Sequence, residues 1–483
     1  MKMKFNMGYF VLLISIAVVF LAPSCEKEKK TDTVTERIDP VLSVMATLDG
    51  SEEKFYAEGS TLKSKDILIN FPSYFPQESD EKIDLSKVKL DIVFNEGIKV
   101  VTAIPALVNL ENPFVVKIQN VDGNTEEISI RANIQKDTEN FRISKGINIA
   151  SWLSTPKYTG TARTAFFTEA DVKLLSELGF DHIRLCIDEV VLWNESGNKI
   201  RSYGFDLLHD AIKWCDKYDM GVIVDMHVTR NHRFTNTENT LFTDPAQEAK
   251  FVELWEDLSD ELKDYPNSLV AYELLNEPVS AGGAANWNRV SASAINAIRA
   301  KEANRVIIVG VCTVNGSVRY NDLTLPSTHR IIATFHYYGP FLLTYYGFSS
   351  TTGGRTDIPI HYPTPTPEHA QLVPEEWISA LPANWQSTGR NTYDKTEQIR
   401  RMQSGLDIAD RLGVPLYVGE FGTANLTPEP ARSNWYKDIV AILKERNIAY
   451  ASFDYKGAGY SVVNEDANRT LRYPGIIDII LDK

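Results

Sequence analysis

The stretch "VAYELLNEPV", Val270 to Val279, ends an apolar run on an amide, an acid and a proline. A carboxylate that closes a hydrophobic strand is costly to desolvate unless its position is used. At the mouth of a parallel barrel such a position is used, because the C-terminal ends of the strands carry the chemistry there. The reading then depends on whether neighbouring segments repeat the pattern and supply a second carboxylate.

They do repeat it. From about Phe141 to the end, short β-rich runs alternate with amphipathic helical patterns. The strand candidates are "KGINIASW", "HIRLCID", "GVIVDMH", "LVAYELLNE", "RVIIVG", "IIATFHYY", "PLYVGEF" and "AYASFDY". Segments such as "EADVKLLSELG" and "AQEAKFVELWEDLSDELKDY" carry the helical spacing between them. The helix after "RVIIVG" is the weakest of the set. Eight β/α units predict a (β/α)₈ barrel over residues 141–483. A doubly wound sheet would more often show a glycine-rich nucleotide turn after its first strand, and "KGINIASWLS" has none.

The strand ends carry Arg184, His227, Asn276 with Glu277, His336 with Tyr338, and Glu420 in "LYVGEFGT". Each residue alone has a plainer reading. Glu277-Pro278 also suits a helix start, His227 a structural histidine and Arg184 an ion-pair partner. Taken together and in this order they place two carboxylates on one rim. A gap of about 5 Å between them suits retaining glycoside hydrolysis, and roughly 6.5–9.5 Å suits inversion.

"LLNEP", "GEFG", "DMH" and "FHYY" at these strand ends resemble glycoside hydrolase family 5, the cellulase-type retaining hydrolases. The resemblance covers about residues 141–483. It implies that Glu277 is the general acid/base and Glu420 the nucleophile. It further implies that Asn276 meets the 2-hydroxyl of the sugar being cleaved and that Arg184 keeps Glu420 ionised. By the same resemblance His227 lines that subsite, His336 sits beside the acid/base and Tyr338 holds the nucleophile. The family's usual tryptophan after the eighth strand is replaced in "ASFDYKGAGY", where Phe453 or Tyr455 stands in as the aromatic platform. The implied substrate is a β-linked polysaccharide cut internally, β-1,4-glucan first, with mannan, xyloglucan and β-1,3-glucan as alternatives. A surface protein that binds glycan without cutting it is the reading from another class. No metal or organic cofactor is implied.

The loop from about Gly339 to Thr392 is long, and such loops are usually functional or disordered. Its Tyr345, Tyr346, Trp377 and Trp385 suit either sugar stacking or packing, as does Trp152 at the end of the first strand. A metal hydrolase is the weaker alternative. Asp225, His227 and His232 in "DMHVTRNH" offer ligands, but the first strand lacks a His-x-His. Gly-x-Ser-x-Gly is absent as well.

The N-terminal part reads differently. Lys2 and Lys4 precede the apolar run Tyr9 to Ala22, which is shorter than the ~20 residues of a membrane span. It leads into "PSC" and then "EKEKK", a pattern that resembles a bacterial lipoprotein signal and implies lipidation of Cys25. Residues 1–24 would be the signal and 25–40 a polar tether. Residues 41–136 hold short β-rich runs separated by turns, which predict a small all-β, immunoglobulin-like sandwich. The chain is expected to be exported as a monomer and anchored to a bacterial membrane, at the outer membrane or cell surface. Cys186, Cys215 and Cys312 lie scattered in apolar segments and read as buried free thiols. A net charge of −14 disfavours nucleic acid and anionic membranes as partners of the folded part.

Overall fold

A computed structural model describes residues 39–72, 75, 83–135, 141–357, 360–363 and 393–483. Cys25, Trp377 and Trp385 lie outside the described residues. Among the described residues no helix is long and apolar enough to cross a membrane.

Among the described residues seven strands form the first unit: β1 (Val41–Leu48), β2 (Lys54–Tyr56), β3 (Asp66–Pro72), β4 (Val88–Phe94), β5 (Lys99–Val100), β6 (Phe114–Gln119) and β7 (Thr125–Gln135). They make two sheets, of order β2-β1-β4 and β3-β7-β6-β5. Alternate residues point to one side of a strand. So Val44 and Ala46 of β1 meet Ile67, Ile69 and Phe71 of β3 and Ile128 and Ile130 of β7 in one core. The β3–β7 pair is parallel, whereas β7–β6 and β6–β5 are antiparallel.

The second unit is a closed barrel of eight parallel strands. These are β8 (Lys145–Leu153), β9 (His182–Asp188), β10 (Gly221–Val228), β11 (Val270–Glu273), β12 (Ile307–Gly310), β15 (Ile331–Tyr337), β16 (Leu416–Phe421) and β17 (Ala449–Ser452). All of the expected strands are present. Every residue of β9, β10 and β16 is buried, as it must be where helices cover the outside and side chains fill the inside. The helix Glu169–Leu178 shows how the crossovers are built. Thr168 and Asp171 form a capping box at its start, and Gly179, at φ 98°, ends it in the left-handed conformation.

Two differences from the sequence reading bear on the site. The fifth crossover has no α-helix among the described residues. In its place stand a hairpin, β13 (Thr313–Val314) with β14 (Ser317–Val318), and a short turn at Tyr320–Asp322. Asn315 and Gly316 both have positive φ, 49° and 74°, which is the demand of the two-residue turn that Asn-Gly meets best. The second difference is at "VAYELLNEPV". Strand β11 stops at Glu273, and Leu274 to Glu277 leave the sheet. Glu277 has φ 41°, a left-handed value that is rare outside glycine and costs about 1–3 kcal/mol.

Candidate active site

Five of the strands, with the segments that follow them, converge at one end of the barrel. Arg184 comes from β9, Asp225 and His227 from β10, Asn276 and Glu277 from the segment after β11, and His336 from β15. Tyr338 follows β15, and Glu420 lies in β16. Arg184 stands third in its strand and not at its end, so its long side chain lies wholly buried inside the barrel.

That guanidinium organises the site. Its Nε donates to Glu273 Oε2 at 2.7 Å and its Nη2 to Glu273 Oε1 at 2.8 Å. Nη2 also donates to Asn276 Oδ1 at 3.0 Å and lies 3.1 Å from Asp225 Oδ2. Nη1 donates to Glu420 Oε1 at 2.7 Å and to Asn148 Oδ1 at 2.9 Å. Burial alone pulls an arginine's pKa down, but the carboxylates of Asp225 and Glu273 outweigh it and the net shift is upward. The opposite balance holds for Asp225. Burial pushes its carboxyl up to about 6, against the pull of Arg184. Asp225 Oδ2 lies 2.7 Å from His227 Nδ1, which places the imidazole proton on Nδ1 while Asp225 is ionised. Burial lowers the pKa of His227, so the ring is neutral near pH 7.

The two acids of the motif set meet across His336. Its Nδ1 is 2.9 Å from Glu277 Oε1 and 3.5 Å from Glu420 Oε2. One oxygen of Glu277 and one of Glu420 lie within 4.8 Å of each other. Tyr338 donates its hydroxyl to Glu420 Oε2 at 2.8 Å, so each oxygen of Glu420 has its own donor. Desolvation raises the carboxyl pKa of Glu277, opposed by His227 and Arg184. Its side chain keeps 37% exposure at the cleft, so solvent moderates that shift without reversing it. His336 is driven down to about 4, chiefly by burial, and is neutral at pH 7. The arrangement therefore holds one carboxyl whose proton is retained to higher pH and one carboxylate fixed by two donors.

Of the aromatic candidates, Phe453 is half-buried and its ring lies 5.8 Å from Tyr460. Tyr455 and Trp152 do not serve as platforms. Tyr455 is buried, donates to Asp171 Oδ1 at 2.7 Å and packs edge-on against Phe167. Trp152 has no exposed surface, packs against Phe167 and donates its indole N–H to the Arg163 carbonyl. Both rings pack under the helices that begin at Gly160 and Glu169 and follow the first barrel strand. In the long loop Tyr346 is buried, while Tyr345 is half-buried and packs against Tyr338 and Tyr460 at 5.5 and 5.8 Å. Of the residues of the metal alternative, His232 is drawn away, its Nε2 accepting the Val279 N–H at 3.1 Å, whereas Asp225 and His227 stay together beside Cys186, with Asp225 also paired to Arg184. Cys186, Cys215 and Cys312 are buried free cysteines.

Sequence reasoning missed Glu273, Asn148 and Tyr460. Glu273 had a signal: it is a charge inside an apolar strand, four residues before Glu277. Asn148 and Tyr460 had none, since polar and aromatic residues are common in such segments.

Residues 144–459 match the model of a family described as cellulase, glycosyl hydrolase family 5. Endoglucanase C of Acetivibrio thermocellus is 28% identical over 334 residues, which cover 66% of this chain and 93% of that protein. Cellodextrinase A of Ruminococcus flavefaciens is 25% identical over 309 residues, covering 64% and 84%. Among solved structures, endoglucanase Cel5A of Thermotoga maritima superposes with a TM-score of 0.56 at 21% identity, over 72% of this chain and all of that one (100%).

Proposed function

Because the chain belongs to the cellulase family, glycosyl hydrolase family 5, and is a glycoside hydrolase, we propose that it cuts β-linked glucan internally with retention, β-1,4-glucan first. The observation that carries this reading is the pair Glu277 and Glu420, with oxygens within 4.8 Å and His336 between them. A retaining pair stands at about 5–5.5 Å, whereas an inverting pair needs room for a water.

In this mechanism Glu420 attacks the anomeric carbon, oriented by Arg184 and Tyr338. Glu277, its pKa raised by desolvation, protonates the departing oxygen. The resulting glycosyl-enzyme is then hydrolysed by a water that Glu277, now ionised, deprotonates. Asn276, fixed by Arg184, is offered to the 2-hydroxyl, and His227 with Phe453 lines the same sugar. The relatives named endoglucanase support internal cleavage of a glucan. Export through residues 1–24 and lipidation at Cys25 complete the proposal, with the β module as an immunoglobulin-like spacer between membrane and barrel. Its two sheets of three and four strands support that description.

The test is hydrolysis of a panel of β-1,4-glucan, mannan, xyloglucan and β-1,3-glucan by soluble protein, beside Glu277→Gln and Glu420→Gln. Loss of activity in both variants, with the β-anomer as first product of the wild type, supports the mechanism. An α-anomer first product rules out retention. Tight binding of a glycan with no cleavage by any form favours the non-catalytic reading.

A further inference from the structure

Glu277 stands at a φ of 41°, and a residue in that conformation persists only where its surroundings hold it. The chain on either side of it is pinned. Before it, the Asn276 N–H donates to the Met226 carbonyl of β10 at 3.0 Å. After it, the Pro278 carbonyl accepts the Thr313 N–H at 2.7 Å, and the Ser280 N–H donates to the Thr313 carbonyl at 3.0 Å. Those bonds join backbone to backbone, so they make little demand on residue type.

Val279 is held differently. Pro278 has no N–H, so Val279 carries the first backbone donor after Glu277. Its N–H goes to His232 Nε2 at 3.1 Å, and its carbonyl accepts from Asn239 Nδ2 at 2.9 Å. Both side chains belong to the loop between β10 and the helix Pro245–Leu262, and both are buried. An Nε2 that accepts is unprotonated, so the ring carries its proton on Nδ1. Nδ1 has no partner among the described residues, which leaves the bond to Val279 as the ring's one hydrogen bond there. Burial, with the neighbouring His227, lowers the His232 pKa to about 3, so the acceptor persists through neutral pH. The ring packs edge-on against Phe242, with centroids 5.7 Å apart. Asn239 is fixed in turn, its Oδ1 accepting the Arg233 N–H at 2.9 Å.

We propose that His232 is a positioning residue for the acid/base: together with Asn239 it clamps the peptide that follows Glu277-Pro278 and so fixes where the Glu277 carboxyl stands. The inference rests on the reading of Glu277 as general acid/base. Its consequence is that loss of the His232 acceptor weakens the steps that use the Glu277 proton and spares those that do not.

The experiment compares wild type, His232→Phe, His232→Gln and Glu277→Ala on a soluble β-1,4-glucan and on 2,4-dinitrophenyl β-cellobioside, with and without sodium azide. Dinitrophenolate departs without a proton, so only the glucan needs the acid in the first step. Azide needs no base in the second. It bonds to the anomeric carbon as the ester bond to Glu420 breaks, and Glu420 leaves as a carboxylate, giving β-cellobiosyl azide. His232→Phe keeps a ring and removes the acceptor. It is expected to lower kcat/KM on glucan about 10–100-fold and to leave kcat/KM on the aryl glycoside within about twofold. Its reduced kcat on the aryl glycoside should recover with azide. His232→Gln restores an acceptor and should stay within about threefold of wild type on glucan. Asn239→Ala breaks the other Val279 bond; it is expected to show the same pattern and decides the matter where thermal melting shows that His232→Phe does not fold. Equal losses on both substrates, or unchanged glucan activity in a folded His232→Phe, overturn the inference. A Glu277→Ala protein that azide does not rescue overturns instead the acid/base role on which it rests.

Discussion

The Arg184 guanidinium grips the Glu273 carboxylate with two parallel hydrogen bonds, Nε to Oε2 at 2.7 Å and Nη2 to Oε1 at 2.8 Å. Bidentate pairing fixes the plane of the cation. Its remaining nitrogen, Nη1, is thereby aimed at Glu420, and Nη2 at Asn276. Glu273 is itself buried below the rim, yet it sets the direction of the cation that holds Glu420 and Asn276.

Replacing Glu273 by Gln therefore affects both folding and rate. It leaves a wholly buried cation with a weaker partner, and breaking such a pair costs about 3–5 kcal/mol, less here because Asp225 and Glu420 remain. Urea unfolding should show a loss of roughly 2–3 kcal/mol. kcat should fall at least about tenfold with a smaller change in KM, as expected for a misoriented nucleophile. An unchanged kcat in a stable variant would remove Glu273 from the orienting role.

Tyr338→Phe removes one of the two donors to Glu420 while keeping the ring. A donor that serves developing charge is worth about 10²–10³ in kcat in the strongest cases. A fall of roughly 10–100-fold with KM nearly constant is expected, read from steady-state kinetics on a soluble glucan.

The pH profile should report Glu277. Its carboxyl is raised by desolvation, so the protonated acid needed for leaving-group departure survives above the ordinary glutamate range and is lost as pH rises through the raised value. The alkaline limb of kcat/KM on unactivated glucan is expected to follow that group. With an aryl glycoside whose leaving group needs no proton, Glu277→Ala should lose the limb and keep much of kcat/KM.

Asp454 makes stability depend on pH. The side chain is fully buried, and burial pushes its carboxyl from 3.8 up to about 7, against hydrogen bonds from Ala458 N–H and Ser461. A raised folded value means that its contribution is complete below the unfolded value near 3.8 and disappears as pH climbs to about 7. The difference is on the order of 4 kcal/mol. Asp454→Asn should leave unfolding at pH 4 nearly unchanged and stabilise the protein at pH 8. Equal stabilisation at both values would assign the effect to packing.

Trp152→Ala and Phe453→Ala should separate core from cleft. The first empties a site with no exposure and should cost about 3–5 kcal/mol of stability. The second removes a half-buried ring at the mouth and should act mainly on KM, with a small change in melting temperature.

Some of this was readable from residue order alone. The eight barrel strands are legible because strands buried on both faces must be continuously apolar, and runs such as "GVIVDMH" have no other soluble use. Glu277 and Glu420 are legible because a charge terminating such a run is conspicuous. The missing fifth helix was half legible, in the Asn315-Gly316 pair that makes a hairpin turn.

Tertiary structure decided the rest. Residue order does not show which side of the closed barrel an aromatic near a strand end faces, so Trp152 and Tyr455 read as platforms, whereas both rings pack against Phe167. The Arg184–Glu273–Glu420 network joins residues 89 and 236 positions apart in the chain, and no local spacing encodes such a contact. The separation of Glu277 and Glu420 belongs to the same class. It is fixed by barrel closure and by the left-handed turn at Glu277, both products of packing across the whole domain. Sequence determined which acids stand at the mouth, because polarity at a strand end is a local property. Only the fold determined that they stand close enough to share a histidine, because distance across a barrel is a global one.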